Sequence, residues 1–289
     1  MRSVQPVPPP PPSDSPTFAR GSTVMLPDGL THYELSGPPA GQTVVLVHGI
    51  STPFFIWDFI VPPLTEAGFR VLRYDLYGRG HSATLDTDYD SALFIRQLSD
   101  LLYGLKIKTP VDLVGISLGG MIVALFTDRY PALVRKLGLM APAGISLKPS
   151  FMLRLAGTRL AGELMVHLGG KMLSAMAPKV FYKPERFREF LPKMEPQFKD
   201  KRYRRAVLST MRLLSFIDIT ATYHRLGQES RPQLLIWGRE DRTIPFETSA
   251  TFKALMPRLE FHAIDQVGHV PPYESPEEVS RLLIEFLQR

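Results

Sequence analysis

Residues 112–126, DLVGISLGGMIVALF, hold a single serine between two apolar runs. Ser117 is enclosed by Gly115, Gly119 and Gly120, although the residues on both sides are those of a buried core. An apolar run that meets glycines and continues as a second apolar run indicates a buried strand that turns sharply into a helix. Glycines relieve the steric clashes of such a turn, so the sequence predicts a tight turn that presents the Ser117 hydroxyl.

The segments around this turn alternate between strand and helix patterns. Continuous apolar runs, typical of strands buried on both faces, are TVVLVHG, FRVLRYDL, PVDLVGI and PQLLIWG. Helical spacing is found in FFIWDFIVPPLTEAG, where Pro62 and Pro63 predict a break, and in YDSALFIRQLSDLLYGL. The C-terminal segment SPEEVSRLLIEFLQR opens with a capping signature. The prediction is an α/β fold in which helices flank a mostly parallel central sheet.

Two segments depart from this alternation. Residues 1–20 include five consecutive prolines, Pro8 to Pro12, and are predicted to form a disordered leader. Residues 144–226 contain Met-bearing helical stretches and no convincing strand, so we interpret them as a helical cap or lid, the cap segment. The α/β core predicted around it then consists of residues 21–143 and 227–289.

Composition excludes several classes of protein. The 289 residues are 44% hydrophobic and 21% charged, as in globular proteins, and they include no cysteine. This absence excludes disulfides, thiol catalysis and thiolate metal sites. The sequence shows no run of about 18 apolar residues and no signal-peptide core, so we expect no transmembrane segment and a cytoplasmic location. Nothing in the sequence indicates an oligomeric state.

The positive charge is concentrated in one part of the chain. The formal net charge is +6, and residues 179–205 carry ten Lys or Arg against four acidic residues. Because the acids are interspersed and aromatic residues are few, this pattern predicts a solvated helical face and no nucleic-acid site. Contact of this basic part of the cap segment with a membrane surface or an anionic ligand remains an alternative.

A serine hydroxyl requires a base in order to act as a nucleophile at neutral pH, and the base requires an orienting acid. Of the seven histidines, His269 lies in a Gly-containing loop between the last strand and the last helix, DQVGHVPPYESPEE. His262 lies within that last strand and is interpreted as structural. His269 is therefore the predicted base.

The candidate acid follows another strand. Asp241 lies just beyond the apolar run in LLIWGREDRTIP, and Glu240 and Asp218 are the alternatives. The order Ser117, Asp241, His269 is the chain order of an α/β-hydrolase triad.

From about residue 23 onward the chain resembles the α/β-hydrolase superfamily, in particular serine esterases of the monoacylglycerol-lipase type. The motifs that carry the resemblance, in family order, are LVHG, DLYGRGHS, GISLGG, WGREDRTIP and GHVPPYESPEEV. The resemblance implies that Ser117 is the nucleophile, His269 the general base and Asp241 its orienting carboxylate. It also implies an oxyanion hole formed by the backbone N–H groups of Ile50 and Leu118.

Four further polar residues belong to the same motifs but are interpreted as loop architecture. They are His48, Asp75, Arg79 and His81. Epoxide hydrolases and haloalkane dehalogenases have an aspartate at the position of Ser117, so the resemblance does not extend to them. No motif for a metal ion or a cofactor is found, and none is expected.

The predicted activity is hydrolysis of a carboxylic ester through an acyl-enzyme, and the predicted partner is a small-molecule ester with apolar or bulky groups. Lactonases, carbon–carbon bond hydrolases, proline iminopeptidases and cofactor-free perhydrolases share the same triad, so these activities remain alternatives. An inactive hydrolase fold that serves as a receptor or scaffold is the alternative that involves no enzyme.

Overall fold

The computed structural model describes residues 21–145, 159–214 and 217–289. Within these ranges eight strands form one sheet; along the chain they are β1 (Ser22–Met25), β2 (Leu30–Ser36), β3 (Thr43–Val47), β4 (Arg70–Tyr74), β5 (Val111–Ile116), β6 (Val134–Met140), β7 (Gln233–Gly238) and β8 (Glu260–Ile264). Their order across the sheet is β1-β2-β4-β3-β5-β6-β7-β8. β2 pairs antiparallel with β1 and β4. The remaining pairs are parallel, which confirms the predicted fold class.

The α-helices of the described residues lie between and after these strands. In chain order they are α1 (Val61–Glu66), α2 (Ser91–Gly104), α3 (Leu118–Arg129), α4 (Arg159–Met176), α5 (Phe190–Lys199), α6 (Lys201–Leu214), α7 (Thr220–Gln228), α8 (Thr248–Leu255), α9 (Pro271–Glu274) and α10 (Pro276–Gln288). No helix in the described ranges combines the length and the apolarity needed to cross a membrane.

The central strands are buried on both faces, as their unbroken apolar runs predict. In β3, Val44 and Leu46 join a core cluster with α1 and α10, while Val45 and Val47 point into a second cluster with α2 and α3. All four side chains have no exposed surface. Because successive side chains of a strand point to opposite faces of the sheet, this one strand contributes to both core clusters.

Two local expectations are wrong in detail. Pro62 and Pro63 do not break a helix, because they lie in the first turn of α1. The N–H groups of a first turn make no hydrogen bond within the helix, so proline, which lacks an N–H, costs no hydrogen bond there. The preceding residues Phe54–Trp57 form a separate 3₁₀ turn. At α10 the Ser275 side chain makes no capping hydrogen bond. The helix begins instead with Pro276 and with acidic residues near its positive end.

The described part of the cap segment packs on the core through aromatic rings. Tyr273 of α9 lies 5.6 Å from the Phe190 ring and 5.9 Å from the Phe181 ring, measured between centroids. α7, at the end of the cap segment, packs against α3 and α8. The boundaries between core and cap segment stay a prediction. The proposed leader, residues 1–20, and residues 146–158 lie outside the described residues.

Some cations of the basic segment 179–205 pair with carboxylates. Lys199 lies 3.4 Å from Glu195, and Arg202 lies 3.1 Å from Asp200. These exposed pairs agree with a solvated helical face. Contact with a membrane surface stays a prediction.

The sheet topology defines where a site can form. After β3 the chain proceeds to β4 on one side of it, whereas β5 lies on the other side. In open parallel sheets such a switch point leaves a crevice at the carboxyl ends of the strands. The loops that follow β3, β5, β7 and β8 carry Ile50, Ser117, Asp241 and His269 to this edge.

Candidate active site

Ser117 occupies a strained backbone position between β5 and α3. Its φ of 54° and ψ of −118° lie where residues with a side chain are rare. The Ser117 N–H donates to the Met140 carbonyl at 2.9 Å, and its carbonyl accepts from Ala143 at 3.0 Å. The Ser117 side chain makes no capping bond with α3. Backbone hydrogen bonds therefore hold the turn, and the hydroxyl takes no part in holding it.

The glycines around Ser117 are required by close backbone approach. A Cβ on Gly115 would collide with the Gly119 carbonyl, and a Cβ on Gly119 would collide with the Val47 carbonyl of β3. A Cβ on Gly120 would lie 2.7 Å from the Pro142 Cβ. The start of α3 thus fits against two strands at once only without side chains, as the sequence predicts.

Asp241 and His269 are in direct contact. His269 Nδ1 lies 2.7 Å from Asp241 Oδ2, and both residues are buried. The second carboxylate oxygen, Oδ1, accepts the backbone N–H groups of Thr243 at 2.8 Å and Ile244 at 3.0 Å. The His269 N–H donates to the Val180 carbonyl of the cap segment at 2.8 Å. Both the carboxylate and the histidine loop are therefore held in place by the backbone.

A cavity of about 140 Å³ brings Ser117 and His269 to the same surface. The described residues that line it are Gly49, Ile50, Ser51, Thr52, Ile56, Ile116, Ser117, Ala177, Val180, Phe190, Met194, Phe198, Thr243, His269 and Val270. Asp241 lies behind His269 and is not part of the wall. The hydroxyls and the imidazole of the wall come from the core, whereas the described cap segment contributes only the apolar side chains of Ala177, Val180, Phe190, Met194 and Phe198.

Two backbone N–H groups are available next to Ser117. Leu118 is the first residue of α3, where an N–H has no intrahelical acceptor. Gly49 passes so close that a Cβ on it would lie 4.0 Å from Ser117 Oγ, and the next residue, Ile50, lines the same cavity as Ser117. Neither N–H has a hydrogen-bond acceptor among the residues that the structure describes. An oxyanion hole requires such a pair of N–H groups beside the nucleophile, and the assignment of Ile50 and Leu118 to it stays a prediction.

The alternative acids and histidine have other partners. Glu240 accepts the Val267 N–H at 3.0 Å, and Asp218 accepts the Thr220 N–H at 2.8 Å. His262 Nε2 lies 2.7 Å from Glu260. None of these three side chains lies on the described wall of the cavity.

Glu274 is a site residue that sequence reasoning missed. Its Oε2 accepts the N–H groups of Tyr182 at 2.8 Å and Gly268 at 2.9 Å, and its Oε1 accepts that of Val270 at 3.0 Å. Burial raises the pKa of this carboxyl. Glu274 thus joins the cap segment to both neighbours of His269. The only available signal was an acid five residues after His269, and nothing local to the sequence indicates that it folds back.

His48 is a buried structural residue beside the cavity. The Leu76 N–H donates to His48 Nε2 at 2.9 Å, so the ring proton is on Nδ1, which donates to the Gly49 carbonyl at 2.7 Å. Burial lowers the pKa of His48 to about 4. The neutral ring fixes the backbone that leads to Ile50.

Asp75 organises the neighbouring loop. It accepts the N–H groups of Phe54 at 2.8 Å and His81 at 3.0 Å, and its Oδ2 lies 2.7 Å from His32 Nδ1. These partners agree with the interpretation of Asp75 and His81 as loop architecture. Among the described residues, no group of three metal-ligating side chains is arranged to hold a metal ion.

Acid is expected to destabilise the protein through His48. Its pKa is about 4 in the folded protein, against an ordinary value of 6.5, so between these values the unfolded chain binds a proton that the folded protein excludes. The free energy of unfolding should therefore fall by up to about 3 kcal/mol as the pH falls through this window. Urea unfolding of the wild type and of His48→Gln, which keeps a donor and an acceptor, measures the effect. A stability difference between the two that does not change with pH would contradict it.

Comparison with known proteins agrees with this geometry. Residues 44–282 match the family model described as "Alpha/beta hydrolase family". The 2-hydroxy-6-oxo-6-phenylhexa-2,4-dienoate hydrolase of Comamonas testosteroni is 28% identical over 280 residues, which cover 94% of this chain and 96% of that protein. Lipase 1 of Psychrobacter immobilis is 26% identical over 252 residues, which cover 86% of this chain and 77% of the lipase.

A solved structure shows the same fold. The enol-lactonase of Burkholderia xenovorans superposes with a TM-score of 0.81 at 20% identity, over 93% of this chain and 100% of the lactonase. Because the family model spans most of the chain, from β3 to α10, the match is not limited to isolated motifs. The protein belongs to the alpha/beta hydrolase family.

Proposed function

We propose that the protein is a serine hydrolase that cleaves a neutral carboxylic ester through an acyl-enzyme formed on Ser117. The observation that carries the proposal is the cavity that Ser117, His269 and Ile50 share, with Asp241 bonded to His269 Nδ1. This arrangement contains a nucleophile, a base, an orienting acid and a place for the developing oxyanion.

The proposed reaction has two halves. His269 Nε2 accepts the Ser117 proton as Oγ attacks the ester carbonyl, and the N–H groups of Ile50 and Leu118 donate to the resulting oxyanion. His269 then gives this proton to the departing alcohol, which leaves the acyl group on Ser117. In the second half His269 accepts a proton from water, the hydroxide attacks the acyl carbonyl, and the proton returns to Ser117 as the acid leaves.

The cavity wall favours a neutral, apolar substrate. Its polar side chains are hydroxyls and His269, and its apolar part is formed by Ile56, Val180, Phe190, Met194 and Phe198 among others. No Lys, Arg, Asp or Glu of the described residues lines it. A substrate carboxylate in this cavity would lose its hydration without contacting a Lys or Arg side chain of the described wall, which is costly.

Hydrolysis of a carbon–carbon bond is the second candidate. It is favoured by the similarity to the Comamonas testosteroni dienoate hydrolase, which extends over nearly the whole of both chains. The substrate in that enzyme's name is a carboxylate anion. The uncharged wall of the described cavity is the reason that we prefer an ester.

Substrate charge provides the test. We expect p-nitrophenyl esters of increasing acyl length to be hydrolysed with a kcat/KM at least about 100-fold above that for 2-hydroxy-6-oxo-6-phenylhexa-2,4-dienoate, because an unpaired buried charge costs on the order of 3 kcal/mol. The methyl ester of the same dienoate is the control for charge; because it also carries an ester bond, release of methanol and cleavage of the carbon–carbon bond are measured separately. Faster turnover of the dienoate than of any ester would establish carbon–carbon hydrolysis instead. The absence of a fluorophosphonate adduct on Ser117 would favour an inactive fold.

A further inference from the structure

Arg79 is a fully buried cation behind the cavity. It lies in the loop after β4 and has no exposed surface. Charged side chains are rarely buried to this extent unless a group of opposite charge accompanies them. Arg73, also buried, follows that rule: its guanidinium contacts Asp58 at 2.6 Å and Glu34 at 3.0 Å.

Arg79 has no such partner among the described residues. Its Nε donates to the Ile50 carbonyl at 2.9 Å, its Nη1 to the Tyr77 carbonyl at 3.0 Å, and its Nη2 to Thr210 Oγ1 of α6 at 2.7 Å. Its guanidinium carbon lies 5.7 Å from the centre of the Tyr89 ring. All of these partners are neutral, and none of the ion pairs in the described ranges includes Arg79.

The charge persists at neutral pH. Burial lowers the pKa of Arg79 to about 10, which still leaves the guanidinium protonated at pH 7 to 8. Its hydrogen bond to the Ile50 carbonyl holds this charge against the residue whose N–H is the proposed oxyanion donor, and Ile50 lines the same cavity as Ser117. The buried carboxylate of Asp75 also acts on the neighbouring His48, but it makes no ion pair with Arg79. A charge in a region of low dielectric acts over several ångströms because water does not screen it.

We propose that Arg79 is a positioning residue of the oxyanion site: it fixes the Ile50 backbone and supplies the positive charge that stabilises the oxyanion formed when Ser117 attacks. This inference rests on the proposed function of Ser117. A residue that only held the loop would need the hydrogen bonds of Arg79 but not a buried charge without a contacting carboxylate. The inference therefore assigns Arg79 a part in the reaction beyond loop architecture.

The test measures how fast Ser117 reacts. A fluorophosphonate reacts with a serine nucleophile while negative charge develops on its phosphoryl oxygen, so its labelling rate reports on the oxyanion site whatever the natural substrate. We expect Arg79→Met to lower that rate by about 10- to 100-fold, the order of effect that the loss of one poorly screened charge near a developing anion produces. Arg79→Lys, which keeps the charge, should retain most of the rate.

A charged adduct separates this role from a structural one. An alkyl trifluoromethyl ketone adds to Ser117 as an anionic hemiketal, whereas the Michaelis complex with an ester is neutral. Arg79→Met should weaken ketone inhibition by the same factor as it slows labelling, and it should change KM for the ester by less than about 3-fold. Thr210→Val removes the bond to α6 but keeps the charge and the Ile50 bond, so it should slow labelling by clearly less than Arg79→Met does.

Arg73→Met is the matched control, since it removes a buried arginine whose charge is already paired. It should lose stability but not labelling rate. Circular dichroism and urea unfolding establish that each variant folds, and Arg79→Gln replaces Arg79→Met if the latter does not. Labelling of a folded neutral variant at the wild-type rate, or an equal loss of ketone affinity and ester KM, would overturn the inference.

The two proposals fail in different ways. A wild type that is labelled but hydrolyses no ester refutes the proposed ester function, while the labelling rates still decide the role of Arg79. A wild type that hydrolyses esters, with Arg79→Met labelled equally fast, refutes only the inference about Arg79. A wild type that is not labelled at all refutes both.

Discussion

Ser117→Ala is expected to lower kcat for the preferred ester by about 10⁴- to 10⁶-fold and to abolish labelling by fluorophosphonates. Without Oγ no acyl-enzyme forms, and the remaining activity depends on binding and the oxyanion site alone. Turnover of p-nitrophenyl esters gives the rate, and peptide mapping of the labelled wild type gives the modified residue. Ser99→Ala, in α2 and outside the cavity, is the matched control and should keep wild-type activity.

The loss should be purely catalytic. The hydrogen bonds that hold the turn involve the Ser117 backbone, and the hydroxyl makes no capping bond. We therefore expect the free energy of unfolding to change by less than about 0.5 kcal/mol. Ser117→Gly should be equally inactive but more stable than Ser117→Ala, because glycine adopts a φ of 54° without strain.

The alanine and glycine variants of Ser117 distinguish its role as nucleophile from its role in the turn. A Ser117→Ala protein that keeps more than about a hundredth of the wild-type kcat would show that another group attacks the ester. Ser51 also lies on the cavity wall, so an adduct mapped to its peptide would point to it directly. Lower stability of the glycine variant would instead show that the turn is not strained.

The fold could be predicted from the sequence because the two patterns that indicate it, the apolar runs and the glycines around Ser117, are both local. Runs such as Val44 to Val47 indicate strands buried on both faces, and the structure gives each face its own core. The three glycines predicted a tight turn, and each of them does meet backbone or a proline ring within clash distance. The spacing of apolar residues and the size of side chains depend only on residues that are neighbours in the chain, so both can be read from the sequence.

Contacts between distant residues were not predictable in this way. Arg79 was interpreted as loop architecture, yet its Nη2 bonds to Thr210, 131 positions later in the chain. Glu274 bonds to Tyr182, 92 positions earlier. A pattern within one segment carries no information about which carbonyl or amide another segment will present to it. Asp241 could be chosen over Glu240 only by motif order, and the contact with His269 supplies the geometric reason.

The cap segment and the core meet at the residues that carry the proposed chemistry. Val180 and Glu274 bind the histidine loop, and Thr210 binds Arg79 behind the oxyanion loop. Displacement of the cap segment is therefore expected to disturb both the proposed base and the proposed oxyanion site. The segment that lines part of the cavity thus also contacts the loops of the proposed reacting groups, so we expect changes in the cap segment to alter kcat as well as KM.

Asp241→Asn is expected to lower kcat by about 10⁴-fold with little change in KM or stability. Oδ1 of Asp241 accepts two backbone N–H groups, from Thr243 and Ile244. An amide nitrogen cannot accept a hydrogen bond, so these donors select the carbonyl oxygen of the asparagine for that position. The amide NH₂ must then replace Oδ2, 2.7 Å from His269 Nδ1.

This orientation gives His269 the wrong tautomer. A donor that faces Nδ1 requires that nitrogen to be unprotonated, so the ring proton moves to Nε2, which can no longer accept the proton of Ser117. Nitrogen-15 NMR of labelled histidine at pH 8 should show the proton on Nδ1 in the wild type and on Nε2 in the variant. Glu240→Gln makes the same chemical change one residue earlier, without a contact to His269, and should keep kcat within about 3-fold of the wild type. If Glu240→Gln lost as much activity as Asp241→Asn, or if the tautomer did not change, the rate loss could not be attributed to the orientation of His269 by Asp241.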